Sequence, residues 1–283
     1  DEIFFRAVAD KTPDYLRYSG RLPPRTEFRD CFTYSNAMYT TAGVVIERVT
    51  AKPWGQAMSE RIFAPLGMTR SSTAPEKLDA ESNRSDHHLP RGPQGAMQVL
   101  AWGPHGREAG GASGEVQSTG RDMARWLAML LQGGRSGERQ VLSPEAMEGL
   151  WRPHTVLCSD GDERWAAIAE RAGRPVEAVG YGLGWYLHTY DGRRMIHHSG
   201  GQGGFTSYAI LLPELGFGVA VMTNGRSNKG LAQALALRAA DMAMKQRPLD
   251  WFALMAPPPG SAGGGGSIVS LSPADRAARR SDL

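Results

Sequence analysis

Apolar residues recur at steps of three and four in the first half of the chain, a spacing typical of helices. One stripe starts after Asn36, ends before Pro53 and predicts a buried helix; its members are Met38, Ala42, Val45, Ile46 and Val49. A second stripe of large apolar residues at 54–63 predicts another helix, which the Pro-Leu-Gly at 65–67 stops. Two helices in direct succession indicate a helical lobe.

Three later helices are predicted from capping residues and composition. Ser118 or Thr119 can cap one of them, because a hydroxyl at this position accepts from a free amide of the first turn. Ser143 suits a second cap, and Pro144 suits the first helical position after it. The third helix is predicted over 231–244, a stretch rich in Ala and Leu that can lie on one face of a sheet.

The apolar period changes in the last third of the chain to short runs of aromatic and β-branched residues, which predict strands. The runs are 181–190, 193–199, 206–212 and 217–223, with turn residues at 191–192 and 213–216. Short turns of this kind join neighbouring antiparallel strands. We therefore expect an α/β (α+β) fold in which an antiparallel sheet is flanked by helices and accompanied by a helical, loop-rich lobe.

The remaining stretches set the expected domain boundaries. Residues 70–112 are polar and rich in Ser, Gly and Pro, and they predict a long loop layer that shapes a site. The stretch PPPGSAGGGGS at 257–267 has the composition of a linker. One folded domain is expected over 1–256, followed by a flexible tail over 257–283.

Composition and charge exclude several classes of protein. The chain has 283 residues, of which 41% are hydrophobic and 22% charged, as in globular proteins that bury a core. The 32 basic residues nearly balance the 29 acidic ones and are scattered, so nucleic acid is not an expected partner. No apolar run is long enough for a membrane span, and the first residues do not resemble a secretory signal. Cys31 and Cys158 are either two free thiols or one bridge.

Two stretches combine turn residues with reactive side chains. Tyr34 and Asn36 lie at the start of a predicted helix, where they can face a cleft together, or Asn36 can simply cap the helix. His198 precedes a glycine-rich stretch at 199–204, whose backbone amides can hold an oxyanion. The alternative for this second stretch is a long hairpin loop with His198 on the surface. A third glycine-rich stretch, at 110–114, indicates tight packing rather than phosphate binding, because no phosphate-loop pattern accompanies it.

Two common kinds of hydrolytic site are not supported by the residue spacing. The adjacent pairs at 87–88 and 197–198 put neighbouring His side chains on opposite faces of a strand, and no metal-ligand spacing appears, so no metal and no cofactor are expected. Ser199 lacks the glycine spacing and the following helix of a nucleophile elbow.

Several ordered stretches together resemble the serine β-lactamase-like hydrolases, which include class C β-lactamases, D-alanyl-D-alanine peptidases and related esterases. The stretches are FTYSNAMYTTAGVVIERVTAKPW, RIFAPLGM, GGASGEVQSTGRDMARWL, YGLGW, HHSGGQGGFTSYAILLP and VAVMTN. The resemblance implies an acyl-enzyme route with an ester, a peptide or a β-lactam as the small-molecule substrate. It also favours export to the periplasm or the medium.

The resemblance also implies roles for individual residues. Tyr34 would act as the general base, and Asn36 would hold the substrate amide or orient a neighbour. His198, Ser199 and Gly200 would form the third motif, in which many relatives have Lys-Thr-Gly. His198 would then supply positive charge or a hydrogen bond near the Tyr34 oxygen, while the Gly201 amide would donate to the oxyanion.

The first motif of that family, Ser-x-x-Lys, does not occur in this sequence. No serine stands three residues before any of the five lysines, which are Lys11, Lys52, Lys77, Lys229 and Lys245. An unperturbed tyrosine has a pKa of about 10, so without a nearby ammonium Tyr34 is expected to stay protonated. We therefore expect a hydrolase that is truncated at its N-terminus. The alternative is a non-catalytic binding or scaffold protein that keeps the cleft.

Overall fold

The computed structural model describes residues 16–17, 19–24, 26–74, 77, 80–91, 96–99, 111–157, 168, 171–202, 204–225, 230–247 and 249–255. The predicted tail at 257–283 and Cys158 lie outside these residues. Six α-helices are described: α1 Asn36–Thr50, α2 Trp54–Met58, α3 Gly120–Leu131, α4 Pro144–Trp151, α5 Leu231–Ala243 and α6 Trp251–Met255. A π-helical turn, Ser59–Phe63, continues α2, and 3₁₀ turns form at Gly111–Ser113 and Pro213–Leu215.

The strands form two short hairpins and one larger sheet. The hairpins pair β1 His88–Arg91 with β2 Ala96–Val99, and β3 Arg135–Ser136 with β4 Arg139–Gln140. The larger sheet is an antiparallel meander in the order β5 Val176–Tyr181, β6 Tyr186–Tyr190, β7 Arg193–Gln202, β8 Phe205–Leu212 and β9 Phe217–Thr223. The predicted fold class is thereby confirmed.

Two hydrophobic cores lie on the two faces of this sheet, because successive side chains of a strand point in opposite directions. Met195 and Ile210 belong to the core that α5 and α6 cover, whereas their neighbours Ile196 and Leu211 belong to the core that contains α3. The second core also includes Phe63 from the π-helical turn. The sheet therefore joins a C-terminal helical layer to the lobe formed by α1–α4.

The predicted caps are present where the sequence places them. The Thr119 hydroxyl accepts from the Asp122 amide at 3.3 Å, and the Ser143 hydroxyl accepts from the Ala146 amide at 3.2 Å. Asp122 is buried and also accepts from the Arg70 amide at 2.9 Å. The start of α3 is thus tied to the loop that follows the first two helices.

The prediction that the stripe of α1 is buried was wrong. Met38, Val45 and Val49 are 63%, 54% and 80% exposed, and the buried positions of the helix are the small residues Ala37, Thr40 and Gly43. The turn at Gly111–Ser113 packs there, so closely that a Cβ on Gly43 would lie 2.6 Å from the Ala112 Cβ. Tight packing is what the glycine-rich stretch 110–114 predicts.

One predicted strand and two predicted loops differ from the structure. The run 181–190 is not one strand: residues 182–185 form a turn between β5 and β6, and most of β5 lies before the run. The predicted loop at 70–112 contains the β1–β2 hairpin. The glycine-rich stretch after His198 is not a long loop, because β7 continues to Gln202 and pairs with β8.

Candidate active site

Tyr34 lies two residues before the start of α1, and its ring faces a residue of β7. The Ser35 hydroxyl accepts from the Met38 amide at 3.3 Å and caps the helix, so Asn36 is the first helical residue and not the cap. Tyr34 is 47% exposed. Its ring centroid lies 6.0 Å from that of His198, which brings together two residues far apart in the sequence.

The segment that carries Tyr34 is held to a second stretch of backbone. The Phe32 amide donates to the Val156 carbonyl at 2.9 Å, and the Phe32 ring stacks on Tyr181 with centroids 4.1 Å apart. Cys31 is disulfide-bonded, which removes the free-thiol alternative for this residue. The position of Tyr34 therefore depends on covalent and stacking contacts beyond α1.

His198 lies on β7 with both ring nitrogens engaged. Its Nδ1 lies 2.5 Å from the Ser199 carbonyl oxygen, an arrangement that requires a proton on Nδ1 because the carbonyl can only accept. Its Nε2 lies 3.1 Å from the Tyr181 hydroxyl. Burial lowers the pKa of His198, whereas the hydrogen bond to Ser199 raises it less. The imidazole is neutral at neutral pH.

Phenols surround this imidazole. Tyr181 is 4% exposed, and its pKa is raised, first by burial and then by Tyr39, with smaller effects of Tyr34 and Tyr186. The Tyr186 ring lies 5.5 Å from that of His198 and 4.9 Å from that of Tyr181. The site thus has an aromatic wall and carries no cationic side chain at the position of His198.

The predicted third motif lies on an extended strand. Ser199, Gly200 and Gly201 pair with Tyr208, Ser207 and Thr206 of β8. The neighbouring β6 begins at Tyr186, opposite His197, so its pairing with β7 does not reach residues 199–201. Among the described residues no strand pairs with that edge of β7.

The comparison with protein families decides what kind of site this is. A family model described as Beta-lactamase matches residues 2–244, which is most of the chain. The chain belongs to the beta-lactamase family. Members of this family are serine hydrolases of the β-lactamase and penicillin-binding type, as the sequence resemblance implies.

Individual relatives within the beta-lactamase family are remote. The chain is 30% identical over 209 residues to Penicillin-binding protein 4 of Amycolatopsis lactamdurans, which covers 72% of this chain and 49% of that protein. It is 28% identical over 214 residues to the Unguisins hydrolase ungD' of Aspergillus campestris, which covers 74% of this chain and 35% of that protein. The chain thus spans about half the length, or less, of these relatives.

Solved structures of similar proteins show the same beta-lactamase-type fold. The octameric penicillin-binding protein homologue from Pyrococcus abyssi aligns with a TM-score of 0.69 at 21% identity, over 84% of this chain and 49% of that one. A D-amino acid amidase from Ochrobactrum anthropi SV3 aligns with a TM-score of 0.59 at 21% identity, over 88% of this chain and 66% of that one.

The sequence does not single out a buried hydrogen-bonded chain behind the candidate site of this beta-lactamase-family protein. Gln233 Nε2 donates to the Tyr208 hydroxyl at 3.0 Å, and that hydroxyl lies 2.8 Å from His197 Nδ1. His197 Nε2 in turn lies 2.9 Å from His188 Nδ1, within hydrogen-bond distance. Burial, followed by the nearby His188 and His198, lowers the pKa of His197 well below its usual range. These hydrogen bonds tie β6 and α5 to the strand that carries His198.

Sequence reasoning also does not select Tyr181, Tyr39 or Phe32 as site residues. The motif YGLGW contains Tyr181 and contributes to the resemblance, but nothing in its spacing shows that this phenol reaches His198.

No three His, Cys, Asp or Glu side chains come together as a possible metal site in the described part of the chain. No helix in that part is both long and apolar enough to cross a membrane.

Proposed function

We propose that this chain forms the Tyr34 and His198 side of an acyl-transfer site that acts on an ester, an amide or a β-lactam. The observation that carries the proposal is the approach of these two rings to 6.0 Å, beside the edge of β7 with which no described strand pairs. In the proposed reaction, a serine oxygen bonds to the substrate carbonyl carbon, and the serine proton passes through the Tyr34 oxygen to the leaving group. Water then attacks the acyl ester and releases the acid.

The edge of β7 supports a place for the substrate carbonyl. The Gly201 amide is proposed as one oxyanion donor, as the family resemblance implies, and a Cβ there would meet nothing closer than the Phe205 carbonyl at 3.9 Å. Gly200 is more crowded, since a Cβ on it would lie 2.3 Å from the Ser207 hydroxyl. Asn36, in the first turn of α1, is proposed to hold a substrate amide.

The proposed site is incomplete in this sequence. No Ser-x-x-Lys is present, and the neutral His198 supplies no cation that would lower the pKa of a nearby phenol. Of the two roles that the resemblance gives His198, the hydrogen bond is therefore favoured over the positive charge. The chain on its own is expected to bind an acyl compound without being acylated.

A second candidate function is that of a non-catalytic binding protein with the same cleft. The neutral imidazole and the missing motif support it, because both remove groups needed for chemistry and leave the aromatic walls intact. Reading the coding DNA upstream of Asp1 separates the two candidates. An in-frame Ser-x-x-Lys supports the hydrolase, and a stop codon before any such motif supports the binding protein.

The relatives support a substrate class, and the disulfide supports a compartment. The relatives include a D-alanyl-D-alanine carboxypeptidase/endopeptidase and a D-amino acid amidase, which favours an amide next to a D-amino acid. The disulfide at Cys31 supports export, because disulfides persist mainly in oxidising compartments.

Intact-mass measurement after incubation with a fluorophosphonate or a penicillin tests the proposal. We expect no stable adduct on the folded chain, and we expect saturable, reversible penicillin binding that the His198→Gln variant weakens. The Tyr190→Phe variant is the control, since its hydroxyl bonds to Asp241 in the core on the opposite face of the sheet. A stable adduct would contradict the proposal that the site is incomplete. Absence of penicillin binding would contradict the proposal that the chain binds an acyl compound beside Tyr34 and His198.

A further inference from the structure

Tyr181 occupies the space between the Tyr34 segment and His198. Its ring stacks on Phe32 with centroids 4.1 Å apart and meets Tyr186 edge-on at 4.9 Å. Its hydroxyl lies 3.1 Å from His198 Nε2, within hydrogen-bond distance. The residue is 4% exposed, and Tyr39 is a second hydrogen-bond partner of the same hydroxyl.

The backbone of Tyr181 is held on both sides. Its amide donates to the Thr155 carbonyl at 2.9 Å, and its carbonyl accepts from the His154 amide at 2.8 Å. The flanking glycines permit this contact, because a Cβ on Gly180 would lie 2.9 Å from the Thr155 carbonyl oxygen and one on Gly182 would lie 2.4 Å from that of Leu150. Tyr181 therefore cannot follow His198 if that ring moves.

The direction of the hydrogen bond follows from the other nitrogen of the imidazole. Nδ1 must carry the proton because it faces the Ser199 carbonyl, so in the neutral ring Nε2 has only a lone pair. The Tyr181 hydroxyl is then the donor and Nε2 the acceptor. Without that donor, a partly buried Nε2 would lose this hydrogen bond, and the ring would keep only its bond to Ser199 and its contacts with neighbouring aromatic rings.

We propose that Tyr181 is a positioning residue that holds the His198 imidazole at the orientation in which it faces Tyr34. The inference rests on the proposed function for its importance to ligand binding, but its geometric content stands alone. In this role Tyr181 acts through its contact with His198. The strap at 154–156 and Phe32 are what make the phenol rigid enough for this role.

The test uses the full chain with ¹⁵N-labelled histidine and the Tyr181→Phe variant, which keeps the stacked ring and removes only the hydroxyl. Nitrogen NMR is expected to show His198 Nε2 shifting towards the value of a nitrogen without a donor, while Nδ1 stays protonated. The His198→Gln variant assigns the signal. The Tyr190→Phe variant removes another buried hydroxyl and should leave the His198 nitrogens unchanged.

A second variant tests whether the stacking of Phe32 on Tyr181 holds the Tyr181 ring in place. Phe32→Leu removes the stacked ring, and we expect it to broaden the His198 signals while the hydroxyl is still present. If His198 Nε2 stays unchanged in Tyr181→Phe, the positioning role is overturned. Near-ultraviolet circular dichroism of Tyr181→Phe must show an intact fold, so that the NMR result does not reflect misfolding.

Penicillin binding separates failure of this inference from failure of the proposed function. Loss of one net hydrogen bond predicts binding about fivefold weaker in Tyr181→Phe. If Nε2 shifts as expected but His198→Gln does not weaken binding, the proposed function fails and the positioning role stands. If His198→Gln weakens binding and Nε2 does not shift in Tyr181→Phe, the positioning role fails and the function stands.

Discussion

At the scale of single residues, the two adjacent histidines of β7 differ in their partners but share a neutral state. His197 points into the core beneath α5, where it hydrogen-bonds to the Tyr208 hydroxyl, whereas His198 faces Tyr34 and Tyr181. Burial lowers the pKa of both imidazoles. Protonating either ring inside the fold costs free energy that the unfolded chain does not incur.

This difference predicts a pH-dependent stability. Below a pH of about 6.5 the unfolded histidines bind protons that the folded ones do not, so the free energy of unfolding falls as the pH drops towards the lowered folded pKa values. His197 alone contributes a slope of up to about 1.4 kcal/mol per pH unit in that window, and above it the contribution is constant. Urea unfolding between pH 5 and 8 measures the slope.

The His197→Gln variant provides the control for that experiment, because glutamine cannot titrate. It should be less stable at pH 8, since it disturbs the bonds to Tyr208 and His188. Its stability should nevertheless depend less on pH. A variant with the same pH slope as the parent chain would show that His197 is not the group that titrates.

At the scale of elements, α1 shows why an apolar stripe does not by itself identify a buried face. The stripe of Met38, Val45 and Val49 has the helical period, and that period is what the sequence contains. Which face is covered depends on what packs against it, and here the small residue Gly43 admits Ala112. In the described part of the chain nothing of comparable size covers the larger apolar side chains.

Two substitutions on this helix should therefore differ in size of effect. Gly43→Val should destabilise the fold by about 1–3 kcal/mol, because a Cβ would lie 2.6 Å from the Ala112 Cβ and force the turn away. Val49→Lys, at a position 80% exposed, should change the free energy of unfolding by less than about 0.5 kcal/mol. Chemical denaturation of the pair gives the comparison, and a large loss in Val49→Lys would contradict the exposed stripe.

Local rules predict elements well and the site only in part. Thr119 and Ser143 could be identified as caps because a cap depends on residues three positions apart. The break at 182–185 could not be predicted, since Gly182 turns there to pack on the Leu150 carbonyl, a contact between distant residues. Tyr181 was missed for the same reason, because no local pattern distinguishes a packing phenol from one that donates to His198.

At the scale of the whole molecule, the residues near the candidate site come from four separated parts of the chain. The segment at 31–36, the strap at 154–156 and the strand β7 meet at Tyr181, the last residue of β5. Each contact lies between parts that are distant in sequence. The arrangement therefore depends on the lobe and the sheet staying together, and the disulfide at Cys31 adds a covalent restraint beside it.

Removing that restraint should weaken the fold near Tyr34 first. Cys31→Ser, or reduction with dithiothreitol, is expected to lower the free energy of unfolding by about 2–4 kcal/mol. The His198 signals should broaden as Phe32 loosens against Tyr181. Dithiothreitol should have no further effect on Cys31→Ser, which serves as the control, and equal melting temperatures for the oxidised and reduced chain would contradict the prediction.

The close approach of Gly182 to Leu150 has a practical consequence for engineering. A side chain at 182 would push against the Leu150 carbonyl and move the neighbouring Tyr181 hydroxyl away from His198. A longer connection after α4 would have the same effect. Mutagenesis libraries confined to residues around His198 would not sample this contact. Varying positions 150–153 together with 182 should change the orientation of His198 from a distance.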